Sequence, residues 1–204
     1  MKYLDFLNNF KGFNSITLQE IKNVFGDVNY SQLTNWKKAG LLKSVKRGVF
    51  VLPKQKIDIH LLANELNYSY ISNEYALSYY QILPDISRAI SSVSKSRHEK
   101  IQNDFGLFNY SKIKADLFFA YTLLDSSIGG RKFRIALPEK ALFDLVYLRP
   151  DLKDEKDFES LRLTLPENFS VNKIKQYNTL TSTPRIKKRI ENLINFLCWQ
   201  LKKY

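Results

Sequence analysis

The chain has 204 residues, 44% of them hydrophobic, which is enough for one large domain or two small ones with real cores. Its 32 basic and 20 acidic residues give a net charge of +12. That excess is typical of proteins that bind phosphate or an anionic surface, and also of merely soluble proteins from Lys-rich genomes. A single cysteine, Cys198, excludes an intramolecular disulfide and favours a reducing cytoplasm. The N-terminus lacks the apolar core of a signal peptide, and no run of about 18 apolar residues could span a membrane.

The first fifty residues contain two short helical patterns and a basic hairpin. A helix is expected over residues 17–25, a turn over 26–29, a second helix over 30–39 and the hairpin over 41–53. That order predicts a winged helix-turn-helix domain over residues 1–53. Its expected core is a set of apolar side chains spread over all of these elements: Leu4, Leu7, Ile21, Leu33, Trp36 and Leu41.

In a helix-turn-helix, the second helix lies in the major groove of DNA and its first residues contact the bases. Side chains that can bond base edges occupy that part of the pattern: Tyr30, Ser31, Gln32, Thr34 and Asn35. Lys37 and Lys38 follow and are expected on phosphate. Lys43, Lys46 and Arg47 decorate the hairpin, where Arg47 could enter a minor groove. The alternative for each residue is an ordinary solvated polar face.

A proline-led polar segment, residues 53–58, is expected to be a linker to a second domain over residues 57–204. Helical patterns at 57–66 and after Ser72 precede strand patterns between 89 and 123, a turn at 126–130 and a strand at 132–136. Pro138 suits the first position of a helix. A long amphipathic helix after Pro184 completes the chain. The predicted fold class is therefore α+β: a helix-rich domain followed by a mixed domain.

The start of that last helix carries Arg185, Lys187, Lys188 and Arg189. Cations at a helix N-terminus oppose the helix dipole and repel one another, which costs a little free energy unless an anion lies opposite. Two interpretations stay open. The residues form either a solvated basic face or a surface for nucleic acid or an acidic partner.

No catalytic, metal or cofactor site is expected, and the chain is not predicted to be an enzyme. Glu139 and Asp144 fit helix capping and surface salt bridges better than catalysis. The Asp-Glu-Lys run at 154–156 lacks the spacing of a nuclease, and Gly-Gly-Arg at 129–131 lacks the serine and aspartates of a nucleotidyltransferase. His60 and His98 have no Cys or carboxylate partners at metal-binding spacing.

Three blocks, in this order, resemble the AbiEi antitoxin family. They are GLLKSVKRGVFVLP at 40–53, YISNEYALSYYQI at 70–82 and ALPEKALFD at 136–144. With the helices before the first block, the similarity covers most of residues 16–148. Phe50 replaces the usual tyrosine and Gln81 the usual glycine. The third block is the most specific.

The resemblance implies a cytoplasmic antitoxin of a type IV toxin–antitoxin pair in phage abortive infection. Such antitoxins bind inverted repeats in their own promoter through the winged helix and repress it. Their C-terminal part counteracts a nucleotidyltransferase toxin without a stable complex. Two alternatives stay open: a winged-helix protein-interaction module that never binds DNA, and a metal-dependent nuclease.

Overall fold

In a computed structural model, which describes residues 1–202, the chain has the predicted α+β architecture. Residues 1–53 form three helices and a small antiparallel sheet of strand order β1-β3-β2. The elements, in chain order, are α1 (Tyr3–Phe10), β1 (Ile16–Thr17), α2 (Leu18–Phe25), α3 (Tyr30–Lys38), β2 (Lys43–Lys46) and β3 (Val49–Val51).

Local signals fix the helix starts in this segment. Thr17 and Glu20 form a reciprocal capping box at the start of α2. At the start of α3, the side chain of Asn29 accepts the backbone N–H of Gln32 at 3.0 Å. Gly48 has φ +77°, so it supplies the left-handed conformation that the tight β2–β3 hairpin requires.

An aromatic core holds these elements together. Ile21, Leu33 and Trp36 are buried as predicted, but Leu4 is 65% exposed and Leu41 is exposed, so their prediction as core is wrong. Phe6 and Phe10 occupy the inward face of α1, and their spacing leaves Leu4 on the solvent side. The remaining buried members of this core are Ile16, Leu42, Phe50 and Leu52.

The rest of the chain, called the body here, is built on a six-stranded mixed sheet of order β6-β7-β5-β4-β9-β8. The pairs β5/β7 and β4/β9 are parallel and the others antiparallel. The strands are β4 (Ser69–Ile71), β5 (Ala89–Ser94), β6 (Glu99–Asn103), β7 (Gly106–Lys112), β8 (Tyr121–Asp125) and β9 (Lys132–Ala136). The helices are α4 (Ile59–Leu66), α5 (Asn73–Tyr79), α6 (Pro138–Leu148), α7 (Glu155–Ser160), α8 (Val171–Thr179) and α9 (Pro184–Lys202).

The long final helix was predicted, and it is confirmed over the described residues. Pro184 begins α9, which is 19 residues long and buries one side against α6, α7 and α8. Ile190, Leu193 and Leu197 lie on that side, whereas Leu201 is exposed. Residues 203 and 204 lie outside the described part of the chain.

More than a linker joins residues 1–53 to the body. Val45, Val49 and Val51 of the hairpin belong to the same buried apolar cluster as the body. The Asn14 amide donates to the Glu65 carboxylate at 2.9 Å, and its oxygen accepts a backbone N–H of the body at 2.8 Å. The expected linker at residues 53–58 is therefore not the sole connection between the two segments.

A buried carboxylate at this junction provides a pH-dependent stabilisation. Burial alone would raise the pKa of Asp58. Four hydrogen bonds, from the backbone of Ser127, His60 and Leu61 and the hydroxyl of Ser126, outweigh burial and lower the pKa from 3.8 to about 2. The ionised form therefore stabilises the fold above pH 3.8, and this contribution is lost as the pH falls towards 2.

We expect Asp58→Asn to lower the free energy of unfolding by about 2 kcal/mol at pH 7. The difference from the unmodified protein should shrink as the pH falls from 4 to 2, because Asp58 itself becomes protonated there. Urea unfolding at several pH values measures both effects. Asp125→Asn, at an exposed carboxylate, is the control and should show no comparable trend. An Asp58→Asn difference that stays constant down to pH 2 would contradict the assignment.

Candidate nucleic-acid interface

Aromatic side chains of α1 pack against the buried face of α3. Leu33 and Trp36 are buried, and the Trp36 ring lies 5.1 Å from both the Tyr3 and the Phe6 rings. The Tyr3 hydroxyl also donates to the Leu41 carbonyl at 2.9 Å, beyond the end of α3. Because one face of α3 is locked in this way, its opposite face is presented to solvent in a defined orientation.

The solvent face of α3 carries most of the predicted base-reading residues. Ser31, Thr34, Asn35 and Lys38 are exposed and follow the i, i+3, i+4, i+7 spacing of one helix face. Tyr30 is 59% exposed beside them. The Thr34 hydroxyl donates to the Tyr30 carbonyl at 2.9 Å and keeps its lone pairs for an incoming donor. We call Ser31, Thr34, Asn35 and Lys38 the α3 stripe. Lys37 is exposed next to it.

Gln32 differs from its neighbours. Its side-chain amide nitrogen donates to the backbone carbonyl of Met1 at 2.8 Å, and its side chain is half-buried. The structure therefore places Gln32 against the start of the chain and outside the α3 stripe. The sequence pattern could not distinguish it from Asn35, because the contact depends on where α1 packs.

The three hairpin cations also differ in their surroundings. Arg47 lies in the turn, is exposed and has no ion-pair partner within residues 1–202. Lys46 donates to the Glu99 carboxylate at 2.8 Å and to the Leu66 carbonyl at 3.0 Å, so it faces the body. Lys43 forms an ion pair with Asp104. Among the three hairpin cations predicted to contact DNA, only Arg47 has no carboxylate partner within residues 1–202.

The basic start of α9 is partly structural. Arg189 donates to the carbonyls of Val146 at 2.8 Å and Tyr147 at 2.7 Å. These carbonyls lie in the last turn of α6, where the helix itself provides no N–H partner. Burial lowers the pKa of Arg189, although the guanidinium stays charged. It therefore belongs to the packing of α6 on α9 and not to an exposed patch. Arg185, Lys187 and Lys188 are exposed as expected.

The carboxylates Glu139 and Asp144 are buried, so their interpretation as surface charges is wrong. Asp144 is 0% exposed and forms an ion pair with the equally buried Lys140. The hydroxyls of Tyr70 and Ser72 donate to its second oxygen at 2.9 and 2.8 Å. Glu139 accepts the ammonium of Lys173 at 2.9 Å. The sequence signal was present, since Lys140 and Asp144 are four apart with only apolar residues between them.

Burial governs the ionisation of this network. It raises the pKa of Asp144 and lowers the pKa of Lys140, while the attraction between the two groups opposes both shifts. Burial also raises the pKa of Tyr70 far above its usual range. Lys140 lies over the rings of Tyr70, Phe119 and Phe143 at 5.3–5.4 Å. With the charged ends fully enclosed, the network suits holding β4 against α6 better than reacting with a substrate.

The two histidines have local partners. The Nε2 atom of His60 lies 2.8 Å from the Tyr75 hydroxyl, and its ring stacks on Phe133. His98 accepts the backbone N–H of Lys112 at 3.4 Å. Within residues 1–202, no group of three or more His, Cys, Asp or Glu side chains could hold a metal ion. None of the helices in that range is long and apolar enough to cross a membrane.

No protein-family profile matches this chain, and no curated protein matches it significantly.

Proposed function

We propose that the protein is a sequence-specific DNA-binding repressor whose N-terminal segment acts as a winged helix-turn-helix. The α3 stripe carries the proposal. Asn35 can bond adenine through two atoms, Ser31 and Thr34 can donate or accept, and Lys38 can pair with phosphate. Arg47 in the hairpin turn is the second backbone contact. Inverted repeats in the protein's own promoter are the proposed target, so two copies load on one operator.

The antitoxin part of the proposal depends on the resemblance to the AbiEi family. The protein would counteract a nucleotidyltransferase toxin from a neighbouring gene in the cytoplasm, without a stable complex. The block at 136–144 contains the enclosed Lys140–Asp144 pair, so we assign that block to the fold of the body and not to a reaction with the toxin. Co-expression with a nucleotidyltransferase toxin from the neighbouring gene tests the antitoxin role: the full chain should restore growth, and Asn35→Ala, which should weaken DNA binding, should leave rescue intact.

Binding to the promoter repeat should be strongly salt-dependent. Each phosphate contact contributes about 0.9 to the slope of log affinity against log salt concentration. We expect Lys38→Ala and Arg47→Ala each to weaken binding to all sequences alike and to reduce that slope by about one. Fluorescence anisotropy with labelled repeat and scrambled duplexes over a range of salt concentrations measures both.

Lys46→Ala is the matched control, because its ammonium is already paired with Glu99. It should leave the slope unchanged. If neither duplex binds at low salt, the proposal fails. The pairing of Lys43 and Lys46 with body carboxylates would then favour the protein-interaction module, in which the hairpin serves as an internal contact.

A further inference from the structure

Basic and aromatic side chains gather at one end of the six-stranded sheet. β5 and β7 both end there, because Ser94 pairs with Lys112, and β4 begins there, because Ser69 pairs with Ser94. Four cations and two aromatic rings at this end are exposed or half-exposed. We call them the sheet-end patch: Tyr68, Lys95, Arg97, Lys112, Phe118 and Arg134.

Two of these cations are held against the same ring. The Lys95 ammonium lies 5.8 Å from the centre of the Tyr68 ring and 5.3 Å from the centre of the Phe118 ring. The Arg134 guanidinium lies 4.6 Å from the centre of the Tyr68 ring, and its Nε donates to the Ser69 carbonyl at 2.9 Å. The Tyr68 and Phe118 rings stack on each other at 5.6 Å. The rings therefore restrain both charges before any ligand arrives.

The fold does not neutralise the charge of the sheet-end patch. Within residues 1–202, none of its four cations forms an ion pair. Glu99, at the start of β6, is already bonded to Lys46 and Asn67. The exposed Asp116 offsets only part of the four positive charges. Because two like charges about one ring repel each other, an anion between them would remove that repulsion, so the patch fits an anionic ligand.

We propose that the sheet-end patch binds a single strand of nucleic acid. Tyr68 is 57% exposed despite its ring contacts, so a base can pack against it while the cations pair with the neighbouring phosphates. A duplex fits less well, because its bases already stack on one another and do not reach an aromatic side chain on the protein surface. An acidic protein segment would use the cations and leave the exposed ring without a role. The site does not include α3, so it is independent of the proposed binding to the promoter.

Fluorescence anisotropy of the full chain with three labelled probes tests the proposal. The probes are an oligothymidine of about 12 nucleotides, an abasic strand of the same length and a duplex of the promoter repeat. Oligothymidine should bind about tenfold more tightly than the abasic strand, because only oligothymidine has bases to stack. Repeating the titration with oligouridine shows, by the tighter of the two probes, whether the strand is RNA or DNA.

Two sets of variants separate the ring from the charges. Tyr68→Ala should weaken oligothymidine binding by about tenfold, with a much smaller effect on the abasic strand and none on the duplex. Tyr68→Phe keeps the ring and should bind normally. Lys95→Ala should weaken the binding of both single strands and reduce the slope of log affinity against log salt concentration by about 0.7, the value for one phosphate contact.

Tyr79→Ala and Lys56→Ala are the matched controls, at an exposed tyrosine and an exposed lysine outside the sheet-end patch, and both should bind all probes normally. Circular dichroism checks that each variant is folded. The proposal is overturned if neither oligothymidine nor oligouridine binds at low salt, if the abasic strand binds as tightly as oligothymidine, or if folded Tyr68→Ala binds normally. A Tyr68→Ala loss that is equally large for the duplex also overturns it, because the patch would then extend the duplex interface. Failure of the duplex alone to bind contradicts only the proposed function.

Discussion

Asp144→Ala is expected to lower the free energy of unfolding by about 3–5 kcal/mol, the largest stability loss among the substitutions considered. The change leaves the ammonium of Lys140 enclosed without its counter-ion, and it removes the acceptor of the Tyr70 and Ser72 hydroxyls. An unpaired buried charge costs far more than the pair contributes. Urea denaturation followed by circular dichroism measures the loss.

Two further variants separate the pair from its surroundings. Lys132→Ala breaks the exposed ion pair with Asp125 and should cost less than about 1 kcal/mol. The double variant Lys140→Met/Asp144→Leu removes both buried charges together, so it should be more stable than Asp144→Ala alone. An Asp144→Ala loss as small as that of Lys132→Ala would show that the network is open to water.

Features that depend on neighbouring residues could be predicted from the sequence. The helix starts at Thr17 and Pro184 appear in the structure, and so do strands within the 89–123 pattern. Inside that pattern, however, Ala115–Leu117 form a short 3-10 helix, and the next strand begins only at Tyr121. Caps, prolines and hydrophobic spacing act within a few residues, so the local sequence is enough to predict the elements that they determine. Ser72 shows the limit: it precedes α5 as expected, but its hydroxyl bonds Asp144 instead of capping the helix.

Features that depend on distant residues could not be predicted. Lys46 and Glu99 are 53 positions apart, and Arg189 reaches carbonyls 43 and 42 positions away. The local sequence around Lys46 or Arg189 does not indicate which distant group it will contact. The sheet order has the same origin, because the parallel pairs β5/β7 and β4/β9 join strands that are not consecutive. The sequence therefore predicted most residues on the exposed face of α3. It did not predict that Lys43, Lys46 and Arg189 bond to distant groups of the fold.

Asn35 is exposed on α3, whereas Gln32 bonds the Met1 carbonyl, so the two side chains should contribute differently to DNA recognition. Asn35→Ala should weaken binding to the promoter repeat by about 1–3 kcal/mol. The variant should also lose its base preference at particular positions of the repeat. Asn35 lies in the α3 stripe, where a bidentate contact with adenine is possible. Replacing each base pair of the repeat in turn, with anisotropy as the readout, locates the contact, because the variant no longer discriminates at that position.

Gln32→Ala is the matched comparison, because its amide has the same chemistry and its nitrogen is held by the Met1 carbonyl. We expect a small effect on affinity at every base pair, with unchanged sequence preference. Any loss should be uniform, since it would arise from a looser contact between α1 and α3. If Gln32→Ala relaxes discrimination at one base pair while Asn35→Ala does not, the face of α3 assigned to DNA is the wrong one.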